Sequence, residues 1–111
     1  MDKSYINTLK NILGEEKFKE LSDLLFKDVD KIFREIKIDI ATKMVEVNMS
    51  LISIIGVELA RGCKEDELSK RITWYNIAEK SMFLEENINM FYDRYKKYIE
   101  IVKSKVEEEN K

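Results

Sequence analysis

Apolar and polar positions alternate along this chain with the period of a helix, most plainly in its last third. Trp74, Ile77, Leu84, Ile88, Phe91, Tyr95, Tyr98 and Val102 follow the 3,4 spacing of a helix seam, with Ser81 as its one small polar member. Glu79, Glu86, Asp93, Glu100 and Glu107 recur every seven residues on the opposite side. Two series in one register predict a single long amphipathic helix.

Upstream, Ile6, Leu9 and Leu13 line one side of a short helix that Ser4 can cap and Gly14 can end. Phe18, Leu21, Leu25, Val29, Ile32, Phe33 and Ile36 continue at helical spacing behind Glu15 and Glu16, acids placed favourably at a helix start. The middle reads two ways. Residues 36–40 and 45–49 alternate like strands, yet the turn between them, Ala41-Thr42-Lys43, has none of the residues a tight hairpin needs. Drawn as a helix, Asp39, Thr42, Lys43, Glu46, Ser50 and Ser53 gather in one narrow polar sector, the pattern of a mostly buried helix. Gly62 and Cys63 punctuate its end, and Glu65-Asp66-Glu67 supply the acidic first turn of the last helix.

The pattern therefore predicts an all-α fold. It is an elongated bundle of about four helices, near 4–13, 15–37, 39–61 and 65–108, within a single domain spanning 1–111. An unbroken helix over 74–106 would extend roughly 50 Å at 1.5 Å per residue. A globule of this size has a diameter of only about 34 Å. The expectation from length is that part of the apolar seam projects and is covered by a second molecule, a homodimer being the simplest case.

Composition narrows the chemistry more than it identifies it. The 111 residues are 38% charged and 44% hydrophobic, a folded rather than a disordered balance. Residues 1–62 carry ten basic and eleven acidic side chains, and 63–111 carry the same numbers, so neither half announces a polyanion partner. With no histidine, Ser-His and Cys-His dyads are excluded, as is the Glu-x-x-His pattern of two-metal helical bundles. The expectation is a chain that is not an enzyme and has no catalytic residues, no cofactor and no metal. Carboxylate pairs such as Glu16 with Glu20, and Glu35 with Asp39, read as solvated faces. One cysteine, Cys63, cannot form an internal disulfide, which favours a reducing compartment; it reads as a structural thiol. The N-terminus lacks the apolar core of a signal peptide, and Met44–Ala60 is too broken by polar residues to suggest a membrane span. A cytoplasmic protein is expected.

Two stretches invite functional readings. Residues 92–98 interleave aromatic and basic groups, and Phe91, Tyr92, Arg94, Tyr95, Lys96, Lys97, Tyr98 and Val102 form the candidate partner-binding surface. The five carboxylates opposite the seam interrupt any continuous basic stripe, so the expected target is another protein with an acidic patch rather than nucleic acid. The function expected is that of an adaptor or inhibitor, a non-enzymatic protein-protein interaction module. In size and style alone the chain resembles small host-directed inhibitors carried by phage and other mobile elements, and bacteriocin-immunity-type proteins. The alternative is a small DNA-binding transcriptional regulator, because 57–72 resembles a helix-turn-helix with Gly62 at its turn. Its would-be recognition helix opens Glu-Asp-Glu, which would face phosphate oxygens.

Overall fold

The computed structural model describes the backbone of residues 4–32, 37–73 and 85–111, and the side chains of 5–30, 37, 39–72 and 88–111. The fold is an all-α bundle. Among the described residues its helices are α1 (Ser4–Ile32), α2 (Ile38–Ala60), α3 (Leu68–Thr73) and α4 (Glu85–Glu109), with a 3-10 turn at Glu65–Glu67 leading into α3. The molecule measures 46 × 30 × 24 Å along its principal axes. No strand occurs among the described residues, so the alternating middle segment is helix. The hairpin reading of 36–55 loses because residues 41–43 lie inside α2, where nothing asks the chain to reverse.

Glycine decides two of the boundaries. Gly14 interrupts α1 at φ 80°, ψ 164°. That is not the left-handed turn the sequence suggests but the extended positive-φ region that side-chain-bearing residues avoid. It separates the expected helices 4–13 and 15–37; residues 33–36 at the end of the second lie outside the described residues. Gly62 (φ 94°) closes α2. Its N–H donates to the Leu59 carbonyl at 3.0 Å, and the Cys63 N–H donates to the Glu58 carbonyl at 2.9 Å. These are the two bonds of a Schellman cap, which satisfies carbonyls that the helix end would otherwise leave unpaired.

α2 is the hub, packed against α1, α3 and α4. It buries Val45, Val47, Met49, Leu51, Ile52, Ile54, Ile55 and Leu59, which explains its near-continuous apolar composition. Asp39–Ala60 is long and apolar enough to cross a membrane, yet two thirds of its most apolar window is buried inside the protein. The polar sector seen in the sequence changes environment along the helix. Asp39, Thr42 and Lys43 are exposed, whereas Ser50 and Ser53 lie in the core. Asn48 and Glu58 are buried as well. The Asn48 side-chain oxygen and the Ser53 hydroxyl have no hydrogen-bond partner among the described residues, a net cost for groups taken from water.

Leu21, Leu25 and Val29 of α1 fill one side of the core, each such side chain contributing roughly 1.5–3 kcal/mol by its removal from water. On the other side α4 approaches α2 closely enough that a Cβ on Gly56 would lie 2.5 Å from Val102 Cγ1 and 3.3 Å from the Ile99 carbonyl oxygen. Gly56 is there because no side chain fits. α3 is tied back to α2 through Glu58, a buried carboxylate 3.3 Å from Arg71 and 3.7 Å from Arg61. Leu68 and Ile72 of α3 are buried beside it.

Candidate functional site

The segment singled out by the sequence lies on α4, and its register sorts the residues cleanly. Phe91, Tyr95, Tyr98 and Val102 recur at 4, 3 and 4 residues and point inward at 3%, 3%, 6% and 0% exposure. Ile88, Tyr92 and Ile99 are also buried. Asp93, Arg94, Lys96 and Lys97 are exposed. Phe91 and Tyr95 pack ring to ring at 4.9 Å with a 47° tilt. At Tyr95 itself the backbone leaves helical geometry (φ −109°, ψ 16°), so α4 is bent rather than a straight rod.

Among the described residues, this placement puts the C-terminal half of the seam against the chain's own core rather than on an open face. Of the eight candidate residues, Phe91, Tyr92, Tyr95, Tyr98 and Val102 belong to the chain's own core. The expected projection required a seam longer than the body. Among the described residues the long dimension reaches 46 Å and the 25-residue α4 spans about 37 Å, while 74–84, the rest of the expected rod, fall outside them. The N-terminal part of the seam, Trp74, Ile77, Ser81 and Leu84, lies outside the described residues. Met90, grouped by the sequence with the apolar flank, is 70% exposed; it falls between the inward positions Ile88 and Phe91.

The polar tips of the tyrosines have found partners inside the chain. Tyr95 donates its hydroxyl to Asp28 of α1, and Arg94 reaches the same carboxylate at 3.7 Å. Three residues on, Tyr98 donates to Glu20 of α1 at 3.5 Å, with Lys97 also at 3.5 Å and Lys17 at 3.2 Å. The partner number rises from 20 to 28 as the α4 number falls from 98 to 95, so the two helices run in opposite senses across this contact. Tyr92 lies 3.0 Å from a Glu100 oxygen and 3.1 Å from a Glu65 oxygen, linking α4 to the turn before α3. Aromatic and basic residues at this spacing do recognise acids, but the acids are the chain's own.

The phenols of these three tyrosines are held neutral. Burial pushes the Tyr92, Tyr95 and Tyr98 hydroxyls above their ordinary value of 10.0, and the neighbouring carboxylates, which would repel a phenolate, push the same way. The Glu20 carboxyl is held below its usual range, first by the Lys17 hydrogen bond. Cys63 is buried, with its thiol 3.4 Å from the Lys64 carbonyl oxygen, and loss of water raises its pKa, the opposite of what a reactive thiolate requires.

Sequence reasoning read Glu20 as part of a solvated face and Glu65 as a helix-start acid, did not single out Asp28, and assigned none of them to the tyrosines. A signal was present for Glu20 and Asp28: each directly precedes a core residue, Leu21 or Val29, and so stands at the edge of the apolar stripe of α1. Among the described residues no group of three or more Cys, Asp or Glu is placed to hold a metal ion. In the 57–72 segment, Arg61 is 64% exposed by its side chain and Arg71 is spent on Glu58. What would be the recognition helix opens, among the described residues, with a 3-10 turn at Glu65–Glu67 ahead of α3. No family model, curated protein or solved structure matches the chain.

Proposed function

We propose that this is a non-enzymatic protein-binding module, an adaptor or inhibitor of the cytoplasm, whose contact surface is the outer edge of α4 rather than its aromatic seam. The observation that carries this reading is Met90. Among the described residues it is the most exposed of the large hydrophobic side chains, 70% against 48% for Ile40 and 39% for Phe26. Arg94 and Lys97 follow it at one and two helical turns on the same side, with Lys96 adjacent. An apolar anchor with a charged rim is the common anatomy of a protein interface.

The buried tyrosines contribute indirectly, by fixing α4 against α1 so that the outer edge is presented without further ordering. Arg94 and Lys97 keep a role at the rim. Their internal ion pairs are long, at 3.7 and 3.5 Å, and more than half exposed on the cationic side. Such pairs contribute little to stability, so a partner carboxylate can compete for the same cations. The partner this edge suits is a protein surface with an apolar pocket bordered by acids.

The test is a photo-crosslinking amino acid placed at position 90 in the native host, with the same group at exposed Asn11 as a control. A protein adduct specific to position 90, and lost on Arg94→Glu/Lys97→Glu, is the expected result. Equal labelling from both positions would remove this edge as a contact surface.

A further inference from the structure

We draw no further inference here: the strongest candidate, the cluster of Glu65, Tyr92 and Glu100 between the α2–α3 joint and α4, is two carboxylates gathered on one tyrosine hydroxyl, and nothing beside it points to a ligand.

Discussion

At the scale of single residues, the hydroxyl of Tyr95 is the most informative atom in the protein. It is carried by a buried ring and donates to Asp28, a carboxylate only 20% exposed, so neither partner is fully served by water. A hydrogen bond to a charged acceptor in such a setting contributes about 1.5–3 kcal/mol. Tyr95→Phe should therefore lower unfolding stability by roughly 1–2 kcal/mol, the Arg94 contact and residual solvent offsetting part of the loss. The same bond sets a pH dependence. Because the folded state raises the phenol pKa, its contribution is complete below the unfolded value near 10 and is lost as pH rises from there toward the folded one. Urea midpoints of parent and Tyr95→Phe should converge above about pH 10. A gap that persists unchanged at high pH would mean that the hydroxyl is not bonded as described.

Glu20 makes the complementary case in acid. Its pKa is depressed by Lys17, so its stabilising effect is present above the unfolded carboxylate value and disappears as pH falls through the folded one. Glu20→Gln should be less stable than the parent at neutral pH. Thermal melts of the two should converge as pH falls through the depressed folded value, because protonated Glu20 is neutral like the glutamine. If the variant matches the parent at pH 7, Glu20 does not clasp α4 to α1.

Among the elements, α2 is the hardest to read from sequence. Its β-branched residues and local alternation speak for a strand, and only the narrow polar sector and the missing turn residues speak for a helix. Packing settles it, because a helix buried on nearly every side needs no clean stripe. Gly14 and Gly62 are different: they mark breaks legible in the chain itself, since their positive φ is a local requirement. Gly56 carries no such mark. Its reason is the approach of α4, a contact between residues far apart in sequence that no local pattern reveals. Gly56→Ala weighs two effects. Replacing glycine inside a helix gains about 1 kcal/mol of propensity. The new Cβ, however, meets the β-branched Val102 at 2.5 Å and a backbone carbonyl at 3.3 Å, neither of which can swing aside. Overpacking of this kind costs about 1–3 kcal/mol, and with backbone in the clash the upper part of that range applies. A fall in the chemical denaturation midpoint is expected; an equal or higher midpoint would show that α2 and α4 are farther apart.

For the whole molecule, the all-α class, the elongated shape and the amphipathic character of α4 were legible in the sequence, because each comes from local periodicity. What was not legible is who covers the seam. Periodicity reports that Phe91, Tyr95, Tyr98 and Val102 share a face; it does not report which surface lies opposite. Length suggested a second molecule; over the described part of the seam α1 and α2 supply cover, and Asp28 and Glu20 receive the hydroxyls of Tyr95 and Tyr98. The candidate site is divided by the fold: its cations are on the surface and its aromatic members are inside.

Hydroxyl-radical footprinting of the dilute, monomeric protein examines that closure most directly, with labelling at each residue compared against the urea-unfolded chain. Phe91, Tyr95 and Tyr98 should be strongly protected, while Met90, on the same helix, is oxidised nearly as fast as in the unfolded state. Tyrosines that label at the unfolded rate in the isolated molecule would contradict a self-closed seam and return it to the role of an open binding face.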